Sequence, residues 1–282
     1  MSAPNAASPV ASAEAVARTR PAALAAGPVR RIAEGTFAMS LTEWRKLRHN
    51  QLDLLTRSVQ PLLWLFVFGT ALQSTHALQT AGVDYRAFIT PGIMAQAALF
   101  ISIFFGLAVI WERDVGQLQR LLATPLPRTA IVLGKAAGAS VRSLVQAVLL
   151  LIVVAIAGIG LQWTVLGVIG ALAMLMLATA GFASLSICIA ACVKKRERFM
   201  GIGQLIMMPL FFASSALYPL AIMPGWLHVI ARVNPLTYEV QGLREMLVGV
   251  GGGELGLDFG VVFVFTALMV ALATRLYPRA IL

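Results

Sequence analysis

The sequence predicts an all-α integral membrane protein with six transmembrane helices, and three observations predict it. Hydrophobic residues make up 59% of the 282 and charged residues only 12%, with a mean hydropathy of +0.84. A soluble domain carries about a quarter charged residues, so this chain has too few to coat one or two such domains. Five stretches between charges, the longest of them split in two by a turn, give six segments of about the length that crosses a bilayer as a helix. With six crossings, 19 of the 22 Lys and Arg fall on the side of the two termini. Disorder, a collagen repeat and a disulfide scaffold are excluded by the hydrophobicity, the lack of a Gly triplet and the two cysteines.

Residues 1–29 are rich in Ala, Pro and Ser without apolar periodicity, which predicts a disordered tail ahead of one membrane domain at 30–282. Prolines interrupt every apolar core that a signal peptide would need. No apolar run follows Arg30-Arg31, as a twin-arginine signal would require. From Arg31 to Asn50, Phe37, Leu41, Trp44 and Leu47 recur at helical spacing, while Arg45, Lys46 and Arg48 cluster near the end. This pattern predicts an amphipathic helix in the headgroup plane. A plain cytosolic lead-in to the first span is the alternative.

The first two spans cover about residues 59–75 and 88–111. The charge-free run between Arg142 and Lys194 is too long for one helix. Gly158, Gly160, Gln162 and Trp163 mark a tight turn within it, giving spans at 141–160 and 165–193. A fifth span, 199–220, is closed by Pro219 and Pro224, and a sixth covers 258–276. Only Arg86, Arg232 and Arg244 fall opposite the termini, so the positive-inside rule places both termini in the cytoplasm. The two sides then carry +12 and −2. The net charge of +10 is mainly topology and calls for no nucleic acid.

Two segments outside the spans carry structure of their own. Val115, Leu118 and Leu122 form an apolar stripe on a short helix after the second span. Glu112 and Asp114 suit the positive end of its dipole, and Pro125 and Pro127 stop it. Such a stripe docks on a partner or lies on the membrane. On the outer side, Leu220–Leu257 holds the Asn234-Pro235 turn, an amphipathic helix over Tyr238–Val248 and a Gly-rich joint at 249–253. That makes a small lid or a re-entrant pair.

The spans contain no carboxylate of the kind that ion-coupled carriers place at mid-membrane, and Arg142 lies near enough to the cytosol to snorkel. Their polar residues are Gln96, Ser102, Gln146, Thr179, Ser184, Ser186 and Gln204. Helix-to-helix hydrogen bonding accounts for most of them, with substrate contact a second reading for Gln96 and Gln204. Gly134-Lys135 looks like the end of a phosphate-binding loop, but Thr129 and Ala136 stand where Gly and Ser or Thr are required. The scattered His49, His76 and His228 support no zinc cluster, and Cys188 and Cys192 are read as packing residues. Ser214-Ser215 has no base near it in the sequence.

Glu112, Gly116, Leu121 and Pro125, followed by Arg128 and Gly134-Lys135, resemble the loop after the second span of the type-2 ABC transporter permeases. Asn234-Pro235-Leu236-Thr237-Tyr238 with Arg244 resembles that family's motif before the sixth span. The resemblance runs from about Arg31 to Arg279. It implies a permease subunit of an ATP-driven exporter, without catalytic residues of its own, in the bacterial inner or plasma membrane. A second permease subunit would pair with it, and a separate ABC ATP-binding subunit would carry ATP and Mg. The segment with Glu112, Gly116, Leu118, Leu121, Leu122 and Pro125 would be the coupling helix. Asn234, Pro235, Tyr238 and Arg244 would belong to the external hairpin. Gln96, Phe100, Phe104, Gln204 and Phe211 are candidates for the translocation path. Phe prevails over Tyr and Trp in the spans, which suits a hydrophobic drug or lipid. Lipid-linked glycan or oligosaccharide export is the alternative, followed by an ion-coupled carrier.

Overall fold

The computed structural model describes residues 28–49, 51–75, 82–117, 127–193, 195–251 and 253–280. Among the described residues there are nine α-helices and no strand. The tail expected at 1–29 falls almost wholly outside them.

Helix α1 (Pro28–His49) starts with proline in its first turn, where the missing N–H breaks no bond. It is the amphipathic helix expected over Arg31–Asn50. Phe37 (71% exposed) and Leu41 of its apolar stripe face away from the protein, while the side chains of Trp44 and Leu47 lie outside the described residues. Its other face rests on α4 (Arg128–Ile156). A Cβ on Gly134 would overlap Met39, and one on Gly138 would come within 2.7 Å of Glu43 Cβ. Glycines four apart let the two helices approach this closely.

Helix α2 (Gln51–Thr75) contains Pro61 and an apolar stretch at Ser58–Ala71. Helix α3 (Tyr85–Asp114) is capped by Asp84, whose carboxylate accepts the Arg86 N–H at 3.1 Å. Next come α5 (Val165–Cys192), α6 (Arg196–Phe212), α7 (Gly225–Val233), α8 (Pro235–Val248) and α9 (Leu255–Leu276), with a final 3-10 turn at Tyr277–Ala280. Helices α3, α4, α5 and α9 are long and apolar enough to cross a membrane. The apolar part of α2 is shorter, and α6 has 17 residues.

Several boundaries differ from the expected spans, among them the start of α2 at Gln51 rather than 59. Helix α4 begins at Arg128 rather than near 141, because Lys135 and Arg142 are ion-paired within the fold instead of ending a helix in water. Helix α6 ends at Phe212 rather than 220. Pro209 sits in its last turn, and Ser214 Oγ turns the chain by donating to Phe211 O and accepting the Ala216 N–H.

Helix α5 is the hub, packed against α3, α4, α8 and α9. Hydroxyls stitch it to its neighbours. Ser102 of α3 donates to Thr179 O at 3.2 Å, Ser186 donates to Ile103 O at 3.0 Å, and Thr179 donates to Ser143 of α4 at 2.9 Å. This is the helix-to-helix bonding expected of polar residues in a bilayer. Ser184 instead bonds Ala180 O of its own helix. The main core fills the space between α3, α4, α5 and α8, and a second cluster lies where Val109, Ile131, Ile187, Phe199 and Tyr277 meet.

Candidate translocation path and its two ends

Gln96, Phe100 and Phe104 recur every four residues on α3 and so line one edge of that helix. Gln96, Phe100, Gln204 and Phe211 wall one cavity of about 310 Å³ between α2, α3 and α6. Phe104 lines a second cavity of about 320 Å³ between α2, α3 and α4, and Phe100 borders both. The five candidate path residues therefore converge on two adjacent cavities. Gln60, Trp64, Met207 and Met208 also line the first, and Gln146 lines the second. Trp64 of this wall stacks on Phe68 with ring centroids 4.4 Å apart. Among the described residues, no Asp, Glu, Lys or Arg side chain lines either cavity.

At the far end of α3, Glu112 and Asp114 do not open a new helix, as the sequence suggested, but close α3 itself. Acids at a helix C-terminus oppose its dipole, and each is matched by a cation from another helix. Lys135 Nζ of α4 reaches both Glu112 oxygens at 2.7 and 2.5 Å, with the two side chains 3% and 13% exposed. Arg196 at the start of α6 pairs with Asp114 at 2.9 Å and lies 4.2 Å from the Trp111 ring centre. Gly116 then turns the chain with φ +70°, a conformation costly for residues with a Cβ. Leu118, Leu121, Leu122 and Pro125 lie outside the described residues. Arg142 pairs with Glu43 of α1 at 3.2 Å and sits over the Phe105 ring. Two ion pairs thus tie α1 and the end of α3 to α4.

At the opposite end, Asn234 joins three elements. Its Nδ2 donates to Leu210 O at 2.6 Å and Ala213 O at 3.2 Å, taking up carbonyls left free where α6 ends. Its Oδ1 accepts the Leu236 N–H at 3.0 Å and so caps α8, with Pro235 in the first turn. Tyr238 Oη donates to Arg232 O at 2.7 Å and closes the α7–α8 corner. Arg244 is 5% exposed, donates to Phe88 O and Ser215 O, and lies 3.8 Å from the Phe88 ring centre. Among the described residues it has no carboxylate partner, so carbonyl dipoles and the ring face meet its charge. These motif residues hold the hairpin against α3 and α6.

Sequence reasoning placed Glu239 in an outer segment and gave it no role. In the structure its side chain is fully buried in α8, with neither carboxylate oxygen hydrogen-bonded. Burial pushes this carboxyl well above the usual range for Glu. An acid with a raised folded-state pKa holds its proton where the unfolded chain has lost it. Relative to the unfolded chain, this group's contribution is most favourable below the unfolded value of about 4.3 and is lost as pH rises from there to the folded value. Glu239→Gln removes this loss. Thermal melts in detergent across pH 4–9 should show the variant gaining on the parent protein as pH rises, by about 2–4 °C for each kcal/mol. Parallel melting curves for the two proteins would show that Glu239 does not carry the proton.

The model of the family described as "ABC-2 type transporter" matches residues 34–248 of this chain. The transport permease ycf38 of Cyanophora paradoxa is 32% identical over 201 residues, covering 71% of this chain and 69% of that one. The daunorubicin resistance ABC transporter permease protein DrrB1 of Streptomyces coeruleorubidus is 27% identical over 241 residues, 83% of each chain. Nodulation protein J of Rhizobium meliloti (strain 1021) is 27% identical over 241 residues, 85% of this chain and 90% of that one. The matched span takes in α2 to α8, and with them both cavities, the Glu112–Lys135 pair and the Asn234 corner. A membrane protein with these features and these relatives has a plain assignment: the chain belongs to the ABC-2 type transporter family.

Proposed function

We propose that the chain is the permease subunit of an ATP-driven exporter. It crosses a bacterial plasma membrane six times, through α2, α3, α4, α5, α6 and α9, with both termini in the cytoplasm. The observation that carries the reading is the pair of cavities along α3, without a charged side chain among their described lining residues, on which Gln96, Phe100, Phe104, Gln204 and Phe211 converge. Their aromatic and Met walls suit a hydrophobic or amphipathic cargo, drug-like or lipid-like. Family membership and the similarity to a drug-resistance permease support that choice. The amide-rich walls and the similarity to Nodulation protein J favour a second reading, oligosaccharide export.

The energy source is a separate ABC ATP-binding subunit carrying ATP and Mg, for this chain has no phosphate-binding loop of its own. A second permease subunit completes the path. Residues 112–125 form the coupling segment, and the Glu112–Lys135 and Glu43–Arg142 pairs make α4 the bar that carries its movement. The test is transport by the complex of this chain with its ATP-binding subunit in sealed vesicles. Uptake into inside-out vesicles should need ATP, stop with vanadate and survive an uncoupler. Uptake that an uncoupler abolishes and vanadate leaves unchanged would point to an ion-coupled carrier instead.

A further inference from the structure

The two cavities carry information about cargo chemistry that the hydrophobic character of the spans does not. Four glutamines line them: Gln60 borders both, Gln96 and Gln204 the first, and Gln146 the second. Gln60 and Gln204 are exposed, but Gln96 and Gln146 are 5% and 3% exposed, and the Oε1 of each has no hydrogen-bond partner. The hydroxyls of Ser102, Thr179 and Ser186 on the neighbouring helices are bonded across helices or to their own backbone, whereas these two amide oxygens, which border the cavities, are not bonded. An unpartnered buried amide is a standing cost that the fold keeps without structural return. The last torsion of a glutamine is broad, so a small side-chain rotation carries each amide from the packing into the cavity it lines.

Resting on the reading of these cavities as the translocation path, we propose that they select an uncharged amphiphile bearing hydroxyl or amide groups. Gln96 and Gln146 are two hydrogen-bonding stations on either side of Phe100. A hydroxyl satisfies an amide presented by its oxygen or its nitrogen, because it both donates and accepts. With no cation among the described lining residues, a carboxylate entering the cavities loses its hydration for little return. An ether of the same frame offers no donor to the amide oxygens. The apolar part of the cargo packs on Phe100, Phe104, Trp64 and Met207 in either case. Gln146, which comes from α4, is then a specificity residue on a different helix from Gln96.

Three fluorescent probes on one frame test the proposal: 1-pyrenebutanol, its methyl ether and 1-pyrenebutyrate. Binding to the purified permease with its ATP-binding subunit is read by energy transfer from Trp64, with Trp64→Phe as the blank. The alcohol should bind about 5- to 10-fold more tightly than the ether, the scale of one net hydrogen bond, and the carboxylate most weakly. Gln96→Leu with Gln146→Leu should bring the alcohol down to the ether while leaving the ether unchanged and the melting temperature equal or higher. Equal binding of alcohol and ether, or a double variant that weakens all three probes alike, would overturn the proposal. Filling the cavity with Phe100→Trp separates the two claims. If it blocks binding of all three probes while the parent shows no hydroxyl preference, only the selectivity falls. If the probes bind regardless of Phe100→Trp, or bind nowhere, the path and the selectivity fall together.

Discussion

Lys135→Met is expected to destabilise the protein by about 3–5 kcal/mol, the usual cost of leaving one member of a buried ion pair alone. Glu112 would keep its charge with its side chain 13% exposed, at the C-terminal end of α3 where the helix dipole already opposes an acid. The double variant Glu112→Leu with Lys135→Met removes both charges and should recover most of the lost stability. Transport should remain impaired in the double variant, because the polar tie between α3 and α4 is gone although the fold is not. Thermal melts of the parent, both single variants and the double form a cycle that isolates the pair. Additive single effects would show that Glu112 and Lys135 do not act together.

Leu118→Asp with Leu122→Asp is expected to abolish transport while the permease still inserts and folds. The proposed seat of this stripe in a groove of the ATP-binding subunit would bury two carboxylates unpaired. Co-purification of the two subunits should weaken at least about 100-fold. On the proposed coupling role, the melting temperature of the isolated permease should hardly move. Full transport by this variant would refute the coupling role of the segment.

The long helices were legible because membrane crossing needs little more than uninterrupted apolar length. Helix α5 starts where the sequence placed its span, after a turn marked by Gly158 and Trp163. The start of α4 was hidden by Lys135 and Arg142, charges that read as helix ends when seen in sequence alone. Their partners lie 23 and 99 residues away, so only the fold reveals that they are neutralised inside it. The same pairing corrects Glu112, which looks like the start of a helix by its charge and is the end of one by its contacts. The motif residues were legible as a set, and their work was not. Asn234 reads as a turn residue, while its bonds to Leu210 and Ala213 join α6 to α8.

The path was partly legible. Gln96, Phe100 and Phe104 share a face by their four-residue spacing, a property of one helix. Gln60 and Gln146 reach the same cavities from α2 and α4, and no spacing rule links residues on different helices. The burial of Glu239 was not legible at all. It stands in a helix with Arg244 and Glu245 close by, a pattern that suits a solvated face, and only the packing of α8 against α3, α5 and α9 encloses it.

The central claim is that cargo passes the cavity between α2, α3 and α6 under the control of ATP. It is tested most directly by Gln204→Cys in a chain whose Cys188 and Cys192 are replaced by Ala. Gln204 is exposed and lines that cavity, so the new thiol should react with a maleimide. The labelling rate should fall when cargo is present, change when ATP and vanadate trap the ATP-binding subunits, and its completion should stop transport. Labelling that ignores both cargo and nucleotide, and leaves transport at its full rate, would contradict the account.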